Sequence, residues 1–102
     1  MVNWYYQKNN ILDKIIKVFR HEKYDVQYTV GPYEINLYFH DHRLAIECSN
    51  SSQSDKNPEN EKTRENFIKH KLKCTFVRFN PDDANFDIFE VIHQIYNHMK
   101  CQ

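Results

Sequence analysis

The sequence predicts an α/β fold of the α+β kind: a mixed four-stranded sheet flanked by helices, in the order α-β-β-β-α-β-α. Three observations predict it. Residues 24–49 read almost entirely as strand-type runs separated by short turns, the pattern of an antiparallel meander. The segments 8–22, 58–73 and 85–100 carry apolar residues at helical spacing. A polar stretch and the second of those helices separate the third strand from the fourth, and so long a crossover implies parallel pairing. The 102 residues are expected to form one domain, with no internal repeat.

In the first helix, Ile11, Ile15, Val18 and Phe19 share a face behind Asn9-Asn10. YDVQYTV (24–30) alternates as a strand, and Gly31-Pro32 marks a turn. In the next strand Tyr33, Ile35, Leu37 and Phe39 are expected on one side, with Glu34, Asn36 and Tyr38 on the other. The turn His40-Asp41-His42-Arg43 sends the chain back, and Leu44, Ile46 and Cys48 then alternate with Ala45, Glu47 and Ser49. Residues 50–57 form a polar loop. Pro58, Glu59 and Glu61 suit the first turn of the second helix, which carries Phe67, Ile68 and Leu72 inward. CTFVRF (74–79) is the fourth strand, ended by Asn80-Pro81. The last helix draws its buried face from Phe86, Phe89, Ile92, Ile95, Tyr96 and Met99.

Composition narrows the class of function. No apolar run reaches the ~18 residues of a membrane span, so no membrane partner is expected. The amino-terminal residues lack the basic start and apolar core of a secretion signal. Three cysteines, Cys48, Cys74 and Cys101, lie at no metal-type spacing, and two of them fall in strands as small apolar residues; this favours an intracellular compartment, cytoplasm or nucleus. Lys and Arg number 14 and Asp and Glu number 14, so attraction to nucleic acid has to come from a local basic face rather than net charge. Such a face is expected on the second helix, at Arg64, Lys69 and Lys71, although i,i+4 pairs such as Glu65–Lys69 fit a solvated surface equally well.

Phosphodiester cleavage by metal ions needs clustered carboxylates, which hold the ion that activates water. Two adjacent antiparallel strands can supply them, and Asn36 and Glu47 are near-symmetric about the turn. Only Glu47 is an acid there; Asn36 and Ser49 stand where further ligands would be. The bland alternatives are a Glu47 that faces solvent or pairs with Arg43 or a helix lysine, and an Asn36 that caps a backbone group. His40 and His42 flank Asp41, but a hairpin turn makes them solvated turn residues rather than a metal site. Trp4, Tyr5 and Tyr6 suit packing of a lead-in segment more than stacking on bases. With one Gly, there is no glycine-rich phosphate loop.

The element order together with YEINLYFHDHRLAIECSNSSQ (33–53) and CTFVRFNPDD (74–83) resembles the restriction-endonuclease-like PD-(D/E)XK nucleases. The wording is closest to the very-short-patch-repair-like endonuclease domain of Bro and KilA-type proteins of large DNA viruses. In that group the corresponding run reads YRIDLYFPEYKLAIECDEFGH, with an ending like KFIRFNPD. The resemblance covers residues 11–100. It implies that Asn36 replaces the aspartate before LYF, that Ser49-Asn50 replaces the acidic pair after IEC, and that Ser52-Gln53 replaces Gly-His. Glu47 remains, and Glu61 and Arg64 match the group's pattern.

The reading is therefore a catalytically degenerate nuclease-like domain, with Glu47, Asn36 and Ser49 as vestigial catalytic positions. It is expected to bind DNA or RNA or to regulate a nucleic-acid-processing system. No cofactor is expected, or at most weak Mg²⁺ or Mn²⁺ at Glu47. Two alternatives stand beside it. One is a protein-interaction or homodimerisation module on the same scaffold. The other is an active metal-dependent endonuclease that recruits Glu34, Asp55 or Glu61 beside Glu47.

Overall fold

The computed structural model describes the backbone of residues 4–49 and 58–100, and the side chains of residues 8–49 and 60–100. The expectations for Trp4, Tyr5, Tyr6, Asn50, Ser52, Gln53, Asp55 and Cys101, and for the loop 50–57, lie outside the described side chains or residues.

Within them the chain runs α1 (Trp4–Val18), β1 (Tyr24–Val30), β2 (Tyr33–Phe39), a 3-10 turn (His40–His42), β3 (Leu44–Cys48), α2 (Pro58–Leu72), β4 (Thr75–Phe79) and α3 (Ile88–Lys100). The four strands form one mixed sheet in the order β1-β2-β3-β4, antiparallel except for the parallel β3–β4 pair. This is the α-β-β-β-α-β-α arrangement expected from the sequence.

Two apolar layers cover the two faces of the sheet. On one, Ile11, Leu12, Ile15 and Phe19 of the α1 segment and Val91 and Ile95 of α3 pack on Leu37, Phe39, Leu44, Ile46, Val77 and Phe79. On the other, Ile68 of α2 packs with Val30, Ile35, Tyr38, Ala45 and Cys74. Burial pushes the Cys74 thiol and the Tyr38 hydroxyl above their ordinary pKa values, so both stay protonated inside this second layer.

Several expectations need correction. Val18 is 53% exposed, and Leu12 completes the inner face of α1 instead. The buried arc is centred on Ile15, and Val18 falls at its margin in the last turn of the helix. On α3, Phe89 and Tyr96 are exposed while Val91 and Ile95 are buried. That helix starts later than expected because Asp87 caps it, its Oδ1 accepting the Phe89 N–H at 3.0 Å.

The largest correction concerns β2. Ile35 lies in the α2-side layer, whereas Leu37 and Phe39 lie in the layer under α1 and α3. Residues two apart in a regular strand share a face, so the alternation breaks at Asn36. The neighbouring strand shows why. The β1–β2 ladder runs Val26↔Leu37 and then Tyr28↔Ile35, skipping Gln27 and Asn36. Gln27 takes a left-handed backbone, φ 49°, a conformation that costs a non-glycine residue about 1–2 kcal/mol.

Candidate functional site

Asn36 also marks where β2 and β3 part. Their pairing is Phe39↔Leu44, Tyr38↔Ala45 and Leu37↔Ile46; Asn36 and Glu47 would come next in that register. Instead β3 continues alongside β4 alone, through Glu47↔Arg78 and Cys48↔Phe79. A strand that loses its neighbour leaves backbone groups without a ladder partner, and these need another. Asn36 Oδ1 accepts the Cys48 N–H at 2.8 Å. On the other limb, Arg64 Nη2 donates to the Glu34 carbonyl at 2.8 Å. The fork is thus closed by two side chains, one from β2 and one from α2.

Glu47 stands inside the fork, 6% exposed, on the α2 side of the sheet. Arg64 grips it with both terminal nitrogens: Nη1 donates to Oε1 at 2.9 Å and Nη2 to Oε2. Arg78, its register partner on β4, approaches Oε1 at 3.4 Å. The network continues outward, with Arg64 Nη1 3.4 Å from Glu61, Arg78 Nη1 2.7 Å from Glu65 and Lys69 Nζ 3.1 Å from Glu65. Its hydrogen bond to Glu47 raises the Arg64 pKa above the ordinary guanidinium value, against the opposing effect of burial. The Lys69 and Arg78 hydrogen bonds hold Glu65 below the usual carboxylate value.

Around these groups lies a cleft of about 220 Å³, lined by Glu34, Asn36, Glu47, Cys48, Ser49, Glu61, Arg64 and Arg78. Asn36, Glu47 and Ser49 are therefore brought together. Their donor atoms do not suit a divalent ion, however. Glu47 faces two guanidinium groups, Asn36 Oδ1 is engaged by Cys48, and Ser49 Oγ donates to the Phe79 carbonyl at 3.2 Å. Among the described residues no three His, Cys, Asp or Glu side chains are grouped to hold a metal. Glu34 and Glu61, the candidate replacement ligands, both line the cleft, and Glu61 is directed to Arg64.

The other sequence candidates lie elsewhere. His40 and His42 are half-buried rather than fully solvated: His40 Nε2 is 2.7 Å from Asp25 and His42 Nε2 is 2.9 Å from Glu22, which ties the 3-10 turn to β1 and to the α1–β1 connection. His40 also meets the edges or faces of Tyr28 and Tyr38, each ring centre 5.0 Å away. Lys69 pairs with Glu65 and lies 5.9 Å above the Phe76 ring, and Lys71 lies 6.0 Å above Phe67. Arg64 is turned into the cleft rather than outward. Sequence reading missed Arg78, and it placed Glu65 in its pair with Lys69 but not beside Arg78. The signal for Arg78 was available in the parallel alignment of LAIEC with TFVRF, which sets Arg78 beside Glu47.

With this geometry, one solved structure is informative. The chain is similar to the catalytic domain of the homing endonuclease I-Bth0305I, with a TM-score of 0.68 over 90% of this chain and 92% of that one. At 21% identity the similarity establishes a shared fold. The scaffold is nuclease-like. No family model matches the chain, and no curated protein matches it. Among the described residues no helix is long and apolar enough to cross a membrane.

Proposed function

We propose that this chain is a catalytically silent nuclease-like domain of the PD-(D/E)XK kind that binds nucleic acid within a larger nucleic-acid-processing system. The observation that carries the reading is the state of Glu47. It is the one acid kept from the expected catalytic cluster, and two arginines engage it where a metal ion would be needed. A guanidinium neutralises the carboxylate but neither polarises nor deprotonates a water as a divalent ion does. Asn36 reinforces this: its amide oxygen carries no charge and already holds the Cys48 N–H. The fold shared with a homing endonuclease catalytic domain supports DNA as the ligand class, with RNA the alternative.

The test combines cleavage and binding on the same samples, using single- and double-stranded DNA and RNA with Mg²⁺ or Mn²⁺. Salt-sensitive binding without cleavage is expected. Failure to bind any nucleic acid at ~50 mM salt would overturn the binding claim, since phosphate contacts are strongest at low ionic strength. Cleavage that disappears in Glu47→Ala would overturn the silent-site claim and establish an active enzyme rebuilt around Glu47.

A second reading, a self-association module, is favoured by one feature. Val18 and Tyr96 line a shared apolar cleft, and Phe89, two turns before Tyr96 on α3, is 77% exposed. A concentration-dependent dimer in sedimentation that Phe89→Asp and Tyr96→Asp abolish would bring this reading forward.

A further inference from the structure

β4 is an outer strand of the sheet, and its two end bonds fix which way its backbone faces. Thr75 N–H donates to the Arg43 carbonyl at 2.9 Å, and the Phe79 carbonyl accepts the Ser49 N–H at 2.8 Å. Thr75, Val77 and Phe79 are therefore turned toward β3, while the N–H and C=O groups of Phe76 and Arg78 point the other way. Among the described residues, no hydrogen bond reaches those outward groups. A hollow of about 560 Å³ lies along them, lined by Phe76, Val77 and Arg78 and by Gln94, Asn97 and His98 of α3.

The opposite edge is different. On β1 the left-handed Gln27 interrupts the ladder, a device that spoils an edge as a template for another strand. β4 has no such protection. Thr75–Phe79 keeps register with β3 without a gap and contains neither proline nor lysine. Its one charged side chain, Arg78, is drawn to Glu47 and Glu65 on the α2 side.

The symmetry of TFVRF decides what fits this edge. The two outward residues flank Val77, so an antiparallel copy centred there sets Phe76 opposite Arg78 and Arg78 opposite Phe76. Each such pair exchanges both of its hydrogen bonds, which uses every outward group of the two strands. Paired side chains share a face, so each guanidinium meets the ring of the other copy as it meets its own, 4.7 Å away. The charge of Arg78 is already offset by Glu47 and Glu65. The α3 wall presents two amides and a histidine, with no carboxylate or lysine to repel its copy.

We propose that the chain dimerises edge to edge, β4 pairing with β4 of a second copy, antiparallel about Val77. The product is one continuous eight-stranded sheet, twice the four strands of the monomer, with both Glu47 clefts on the same face. The inference is independent of the nucleic-acid reading and uses a different surface from the Val18–Tyr96 cleft.

The experiment is sedimentation of the intact chain over a wide concentration range, with amide hydrogen exchange on the same samples. A monomer–dimer equilibrium is expected. The Phe76 and Arg78 amides should exchange quickly in dilute protein and slow as the dimer forms, with the β3-bonded Val77 amide protected throughout. Arg78→Pro removes an outward N–H without touching a bond to β3, whereas Arg78→Ala removes only the side chain. The proline variant should dimerise about tenfold or more weakly than the alanine variant. If the proline variant does not fold, the exchange pattern of the unmodified chain decides. A chain that stays monomeric overturns the inference. So does protection of both amides in dilute monomer, which would mean that another part of the chain covers the edge. A dimer whose Phe76 and Arg78 amides stay fast, or one that Phe89→Asp abolishes and Arg78→Pro spares, also overturns it and moves the interface off β4.

Discussion

Asn36 and Cys48 are joined across the opening fork of the sheet, the side-chain Oδ1 of one accepting the backbone N–H of the other at 2.8 Å. The bond substitutes for a ladder contact where β2 and β3 separate, so it lets the cleft exist without leaving the Cys48 N–H unpartnered. Only an acceptor of this length does so. Asn36→Ala should destabilise the protein by about 1–3 kcal/mol, the cost of an unsatisfied half-buried donor. Asn36→Asp keeps an acceptor oxygen and should lie much closer to wild type at neutral pH. Urea unfolding of the three proteins decides it, and equal losses in both variants would mean that the bond does not support the fork.

The Glu47–Arg64 pair makes a second prediction. Both side chains are largely removed from water, 8% and 19% exposed. Taking away one partner strands the other, which costs about 3–5 kcal/mol for a buried pair. Glu47→Leu should be the more damaging single change, because it leaves Arg64 and Arg78 facing each other without their shared anion. Combining it with Arg64→Met should recover most of the loss, since replacing a whole buried pair with apolar groups is often near neutral. A double-mutant cycle measures the coupling, and additive losses would show that the pair contributes nothing beyond packing.

Glu65 carries the acid dependence. Its hydrogen bonds to Lys69 and Arg78 depress its pKa from 4.5 in the folded state. A depressed carboxylate contributes stability that is present above the unfolded value and disappears as pH falls through the folded one. Glu65→Gln should therefore lower the melting temperature at pH 7, and the gap from wild type should narrow progressively below pH 4.5. Melting curves across that range at low salt would check the sign. A gap that widens toward acid would contradict it, and high salt should shrink the effect because the group is near the surface.

The strand order was legible in the sequence because connection length restricts pairing. Gly31-Pro32 and the short turn at 40–43 admit only antiparallel neighbours, and a helix between β3 and β4 admits only the parallel return. Glu47 and Asn36 could likewise be set near each other by counting back from the turn. The face of Ile35 could not be read that way. YEINLYF alternates without interruption, and the cause of its break is the backbone of Gln27 on another strand. The closing of Glu47 by Arg64 was hidden for the same reason, as that arginine comes from α2, 17 residues further along the chain, whereas the parallel β3–β4 register sets Arg78 beside Glu47. Local pattern carried the scaffold, and contacts distant in sequence determine what its cleft can bind.

Gly31 provides a test of how tightly α2 is held over the sheet. It occupies the first position of the two-residue β1–β2 turn with φ 59°, a backbone that a side chain tolerates poorly. A Cβ at that position would also come within 2.7 Å of the Phe67 ring of α2. Alanine there meets two penalties at once, left-handed strain and a Phe67 ring that must shift although it packs edge-on against Tyr33 at 5.4 Å. Gly31→Ala should lose about 2–3 kcal/mol by denaturant unfolding with an unchanged slope. In Phe67→Ala the ring is gone, and the same glycine change should then cost only the backbone part, about 1–2 kcal/mol. If the loss is as large without the ring, strain in the turn accounts for all of it and Phe67 packs too loosely to oppose a methyl group.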